Sequence, residues 1–203
     1  MNSLKAVKQL NKIKSILRRK PRLAAEGWKD DWKTLIAIIL SARTRDSVTI
    51  KVCEELFKKY KNARDLAEAK IEEIEKIIKP INFYKTKAKK IILASEKIVK
   101  EGFPKNFEEL LRLPGVGRKT ANVFLAERRN ASAIGVDTHV ARISKKLGWT
   151  KNTKPEKIEE DLQKLFPKSY WRSINYILVS FGQTVGRNRK EEDKVLKKIK
   201  SLK

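Results

Sequence analysis

Leu110-Leu-Arg-Leu-Pro-Gly-Val-Gly-Arg-Lys-Thr-Ala121 is the stretch from which the rest of the chain can be read. Physically it is a helix, a tight turn and a second helix. Gly115 and Gly117 lack a Cβ, so they permit positive φ and the close approach of a ligand. The turn and the following helix N-terminus aim backbone N–H groups at one point, which makes a phosphate seat. Arg118 adds a full charge beside it. Gly115, Val116, Gly117 and Arg118 are therefore candidate nucleic-acid contacts. A bare G-x-G also fits a plain turn between helices, so the flanking chain has to decide.

That flanking chain is helical throughout. Trp32 to Ser41 is apolar nearly all round and predicts a buried central helix. Ser47 to Tyr60 places Val48, Val52, Leu56 and Tyr60 on one face. Ile71, Ile74 and Ile78 follow, stopped by Pro80. Lys85 to Lys100 carries Ala88, Ile91, Ile92, Ser95 and Val99, with Gly102 just beyond. Asn106 fits as the cap of a helix over Phe107 to Leu113. After the turn, helices are expected from about Lys119 to Arg128, from Asp137 to Leu147 with Gly148 closing, from Pro155 to Phe166, and from Tyr170 to Phe181 ended by Gly182. Met1 to Lys20 and Lys190 to Lys203 read as basic amphipathic helices. Ser132 to Val136 alternates, but it fits an extended connection better than a strand. The expected fold class is all-α.

Charge narrows the partner. Lys and Arg number 49 against 24 Asp and Glu, a net +25. Acids that fail to keep pace with bases point to a polyanion rather than to a surface of balanced ion pairs. The longest apolar run, Leu35 to Leu40, is far too short to span a bilayer, and no membrane partner is expected. The single cysteine, Cys53, excludes a disulfide framework and a cysteine metal cage. These features lead to the expectation of an intracellular protein without a metal site.

The full string Leu113-Pro-Gly-Val-Gly-Arg-Lys-Thr-Ala121 resembles the helix-hairpin-helix motif of endonuclease III-like (HhH-GPD) DNA glycosylases nearly letter for letter. Val136-Asp-Thr-His-Val-Ala-Arg142 resembles that family's catalytic aspartate segment, at the family's spacing from the hairpin. Ile39-Leu-Ser-Ala-Arg-Thr-Arg-Asp46 and Ile81-Asn-Phe-Tyr-Lys-Thr-Lys-Ala88 resemble two of its loops. The likeness runs from Trp32 to Gly182. It implies two helical domains with a cleft between them: residues 22–132 as a six-helix part holding the hairpin, and residues 1–21 with 133–203 as the second.

The resemblance also implies the chemistry. Lys119 is the nucleophile on the sugar C1′, forming a Schiff base, and Asp137 is its carboxylate partner. A lysine attacks only as the free amine, and Lys119 sits at the head of a helix where positive charge is already gathered. Its plainer fate is an exposed phosphate contact. Asp137 is a good N-cap, and a carboxylate there can also stabilise an oxocarbenium-like sugar. By resemblance, Arg43 and Phe83 fall at the positions that fill the duplex when a base is extruded. Arg43 departs from the family's usual glutamine, and an arginine can donate to guanine N7 and O6. Phe83 suits stacking into DNA or packing on the next helix equally. Lys85 and His139 complete the candidate DNA contacts, although His139 also reads as a packed helix residue.

One departure is larger. Many relatives bind a four-iron cluster through four C-terminal cysteines, whereas Gly182-Gln-Thr-Val-Gly186 and the residues after it contain none. No cofactor is expected. The tail from Arg189 to Lys203, with seven bases against three acids, is expected to replace the cluster loop in packing and to touch phosphates.

The resulting expectation is a monomeric bifunctional DNA glycosylase/AP lyase acting on double-stranded DNA with a base lesion or an abasic site. Oxidised pyrimidines are the expected lesion. Uracil, thymine in G·T mismatches or a modified purine are the alternative bases. A non-catalytic DNA-binding module is the alternative from another class; it would keep the glycine turn without needing Lys119 and Asp137 together.

Overall fold

The computed structural model describes residues 2–17 and 21–202. Met1, residues 18–20 and Lys203, the outer ends of the two basic terminal stretches, lie outside the described residues. Among the described residues there are twelve α-helices and one 3-10 turn, and no strand. None of these helices is long and apolar enough to cross a membrane. The chain divides into two compact units, residues 22–129 and residues 1–21 with 130–203.

In the unit of residues 22–129, α2 (Asp31–Ser41) is the centre, and every residue from Leu35 to Leu40 is buried. Around it lie α3 (Asp46–Lys59), α4 (Ala63–Ala67), α5 (Ile71–Ile78), α6 (Tyr84–Glu101), α7 (Phe107–Leu111) and α8 (Arg118–Arg128). That makes seven helices where six were expected. The extra one, α4, has only five residues and is fixed by its cap: Asn62 accepts from the Asp65 N–H at 2.9 Å. Phe124 of α8 is fully buried beside Phe103, and Trp28 and Trp32 meet the Phe57 ring edge to face. Arg128 and Arg129, ending α8, pair with Asp31, which begins α2.

The buried face of α6 is Lys87, Ala88, Ile91, Ala94, Ser95 and Ile98; Ala88, Ile91 and Ser95 are buried as expected, whereas Ile92 is half-buried and Val99 is exposed.

The other unit holds α1 (Ser3–Ile16), α9 (Thr138–Leu147), α10 (Pro155–Leu165), α11 (Lys168–Gln183), a 3-10 turn (Val185–Arg187) and α12 (Arg189–Lys200). Gly148 closes α9 in the left-handed conformation, and Pro155 opens α10, each as its chemistry dictates. On α1 the buried residues are Ala6, Gln9, Leu10 and Ile13, while Leu4 faces solvent. Gln9 is buried because it is satisfied: it donates to the Ile199 carbonyl and accepts from the Trp149 indole N–H at 2.7 Å. The segment 130–137 has no regular secondary structure and leads into α9, with Asn175 donating to the Gly135 carbonyl at 2.6 Å.

Gly182 was expected to end its helix, yet α11 runs through it to Gln183. A Cβ at Gly182 would lie 2.0 Å from His139 Nδ1, so the glycine is there to admit that ring. The tail packs as expected. Leu196 and Ile199 of α12 are buried, and Glu192 is wholly enclosed. Its carboxylate meets Arg142 at 2.8 Å, Lys146 at 2.6 Å and Arg189 at 3.0 Å. Gly186 leaves the space it needs, since a Cβ there would come within 2.3 Å of the carboxylate.

Candidate active site

Four pieces of backbone carry the candidate residues. The first is the glycine turn between α7 and α8. Gly115 has φ +84, and a Cβ there would press on Ile39 and Lys90 at 3.2 Å, so a side chain would be strained by its conformation and crowded by its neighbours. Gly117 differs from expectation. Its φ of −101 is open to any residue, and a Cβ would meet nothing within 4 Å. The space in front of Gly117 is free for a ligand rather than demanded by the fold. Val116 is buried and its N–H closes the turn on the Leu113 carbonyl at 3.1 Å.

Gly117 is also the N-cap of α8, without a side-chain cap. The first N–H groups of that helix therefore point outward from the turn. Arg118 is exposed, with its guanidinium 5.2 Å from the Phe107 ring centroid. Lys119, half-buried, is the next residue of the same turn of helix.

The second piece is the start of α9. Asp137 is the N-cap, and its Oδ1 accepts from the Val140 N–H at 2.9 Å. Its other carboxylate oxygen accepts no hydrogen bond from the described residues. The residue thus caps its helix and still presents an acceptor. His139 packs against Gly182 and stands 3.2 Å from Arg142 Nη2. Burial lowers its pKa from the ordinary imidazole range, with Asp137 partly opposing. His139 is half-buried, with its ring set against Gly182. Lys119 belongs to the unit of residues 22–129 and Asp137 to the other.

The third and fourth pieces are the loops before α3 and before α6. Arg43 has φ 58 and Phe83 has φ 59, so both sit in the left-handed region that non-glycine residues rarely adopt. Phe83 is 57% exposed for a large apolar ring, and the Arg43 guanidinium lies 4.8 Å from its centroid. A left-handed conformation at a non-glycine residue costs energy and persists only where the surroundings hold it. Asn82 joins the two loops: its side-chain amide donates to the Arg43 carbonyl, and its backbone N–H to Thr44 Oγ1 at 3.1 Å. Lys85 is exposed on the first turn of α6.

Sequence reasoning missed Lys87. It is buried, and its ammonium donates to the Leu40 carbonyl at 2.7 Å and the Ala42 carbonyl at 2.6 Å, with Thr44 Oγ1 at 3.3 Å. Burial, aided by Lys90, pushes its pKa down to about 8. The one available signal was a lysine at an inward position of an amphipathic helix.

The HhH-GPD superfamily of base excision DNA repair proteins has a family model that matches residues 36–168. The chain belongs to that superfamily. Endonuclease III of Thermotoga maritima is 43% identical over 175 residues, spanning 85% of this chain and 81% of the relative. Endonuclease III of a Synechocystis species is 45% identical over 160 residues, spanning 77% and 73%. Among solved structures, a trapped endonuclease III–DNA covalent intermediate superposes with a TM-score of 0.85 at 30% identity, covering 93% of this chain and 90% of that one. A non-covalent endonuclease III–DNA complex gives 0.83 at 31% identity, covering 91% and 87%. The all-α architecture is that of the HhH-GPD glycosylases.

The cysteine-held iron–sulfur cluster found in many of this superfamily does not fit the residues present. Cys53 is the only cysteine, and it is enclosed in the core around α2, where burial pushes its thiol pKa up. Among the described residues, no three His, Cys, Asp or Glu side chains gather as a metal site.

Proposed function

We propose that this HhH-GPD protein excises oxidised pyrimidines from double-stranded DNA through a Schiff base on Lys119, as a monomer working inside the cell without an iron–sulfur cluster. The broader class, a bifunctional glycosylase and abasic-site lyase of base excision repair that binds DNA, follows from the family and its endonuclease III relatives. The observation that carries the finer reading is a lysine one residue inside an uncapped helix that opens from a glycine turn with empty space in front of it.

The Gly115–Arg118 turn seats a phosphate on exposed N–H groups, and Arg118 adds charge. Lys119 Nζ attacks C1′, forming a C–N bond as the bond to the base breaks and its electron pair leaves with the base. Asp137 stabilises the positive charge that develops on the sugar. Loss of a proton from nitrogen and opening of the sugar give the imine. Removal of a C2′ proton then expels the 3′ phosphate and cuts the strand. Arg43 and Phe83 occupy the gap left by the extruded nucleotide, while Lys85 and His139 border the DNA. A solved endonuclease III–DNA covalent intermediate supports the covalent step by kinship. The absence of any cysteine after Cys53 supports a cluster-free protein.

The test is a panel of end-labelled duplexes, each holding one lesion: thymine glycol, uracil, a G·T mismatch or a methylated purine. Release of thymine glycol with strand cutting is expected. Preferred release of another base would overturn the lesion assignment. Binding without release from any duplex would reduce the chain to a DNA-binding module.

A further inference from the structure

Lys87 breaks two rules of its own helix. It is a lysine turned inward, and it lies in the first turn of α6, where the helix field opposes a cation. The compensation comes from α2. The carbonyls of Leu40 and Ala42 are end groups of that helix, left without intrahelical partners, and the ammonium satisfies both. Such breaches of local preference are expected at functional or strained sites.

What it holds is the strained pair. Leu40 and Ala42 lead directly into Arg43, and Thr44 beyond it is the hydroxyl shared by the Lys87 ammonium and the Asn82 N–H. From the other side, the Lys87 backbone N–H donates to the Phe83 carbonyl at 3.0 Å. One residue thus grips the loop of Arg43 with its side chain and the loop of Phe83 with its backbone. Both gripped residues are in the left-handed region, a conformation that persists only where the surroundings over-determine it. With its pKa near 8, Lys87 still carries its proton at neutral pH and keeps its donors on those oxygens.

We infer that Lys87 is a positioning residue that locks Arg43 and Phe83 into one preformed wedge for distorting duplex DNA. This rests on the reading of Arg43 and Phe83 as the gap-filling pair. Because the wedge is built before DNA arrives, the strain is met on folding rather than on binding, and base extrusion gains what preorganisation saves.

The experiment uses the full chain and a duplex with a tetrahydrofuran abasic analogue and 2-aminopurine opposite it. Wild type should raise the 2-aminopurine fluorescence as the opposite base unstacks. Lys87→Met should lose most of that rise while its Kd for the duplex stays within about twofold, as for a site independent of the phosphate contacts. Phe83→Ala should lose it too, and Lys87→Met/Phe83→Ala should lose no more than Phe83→Ala alone, since both act through one ring. On thymine glycol, Lys87→Met should lower kcat roughly tenfold or more at unchanged KM, within what a misplacement of about 1 Å can cause. Should Lys87→Met fold poorly, Thr44→Val, which removes only the shared hydroxyl, should show the same loss in weaker form. A full fluorescence rise in Lys87→Met or Thr44→Val, or losses that multiply in the double variant, would overturn the inference. The fluorescence readout needs no base release, so an inactive wild type would condemn the lesion assignment and leave this test standing.

Discussion

The two units each enclose an ion, and they do it in opposite ways. Lys87 is surrounded by neutral oxygens, two carbonyls and a hydroxyl, and the charge that adds to its lowered pKa is another lysine, Lys90. Glu192 is surrounded by Arg142, Lys146 and Arg189. Both pKa values fall, with opposite meanings. Burial makes the ammonium of Lys87 harder to keep, and its pKa drops to about 8. Burial alone would raise Glu192, but the hydrogen bonds of Arg142 and Lys146 hold it down to about 2. In a chain of net charge +25, a carboxylate is the scarce ion and stabilises wherever it gathers cations. A buried cation is tolerated only where geometry needs it. The comparison assigns Glu192 to stability and Lys87 to shape.

The largest expected effect tests the first half of that contrast. Glu192→Gln keeps the volume and removes the charge that joins α9 to α12. It should cost about 3 kcal/mol, the lower end for breaking a buried ion pair, because the cations keep access to water. Thermal unfolding should shift down by roughly 6–12 °C for a chain of this size. An unchanged midpoint would mean that the three cations are indifferent to the carboxylate.

The same contrast has a pH signature. The lowered pKa of Glu192 gives stability that is present above its unfolded value, 4.5, and is lost as pH falls toward about 2. The gap in urea midpoint between wild type and Glu192→Gln should therefore be constant near neutrality and close below pH 5. Lys87 works in the opposite sense. Its folded pKa lies below the unfolded 10.5, so wild type should gain stability relative to Lys87→Met as pH rises from about 8 to 10.5. At neutral pH, Lys87→Met should cost only about 1–2 kcal/mol, from two buried carbonyls left without a donor. The smallest effect belongs to Arg189→Ala. That side chain is 57% exposed, so its share in the Glu192 cluster should be worth under about 1 kcal/mol.

Much of this was legible in the sequence because it is written locally. The Asn106 and Asp137 caps, the Gly148 closure and the Pro155 start each follow from a side chain acting within one turn of its own backbone. The Leu35–Leu40 run declared the centre of its unit, since a helix apolar on every side has to be buried on every side. The glycine turn showed the conformation of Gly115, whereas Gly117 takes a φ of −101 that any residue can adopt.

What was hidden depends on partners far along the chain. Gly182 reads as a stop until His139 is seen filling the space above it. Nothing near Gly186 in the sequence tells that Glu192 needs its space. Lys87 reads as one more base in a basic helix until the end carbonyls of α2 are seen beneath it. Ala63–Ala67 is too short to leave a periodic signal, and only its Asn62 cap could have hinted at it.

The most direct test of the whole account is covalent trapping. The protein is incubated with a duplex containing a natural abasic site, reduced with borohydride, digested, and the modified residue is located by mass spectrometry. A single adduct on Lys119, absent from Lys119→Gln, is the result expected. No adduct from wild type, or one that persists on another lysine in Lys119→Gln, would contradict the assignment of Lys119 as the nucleophile.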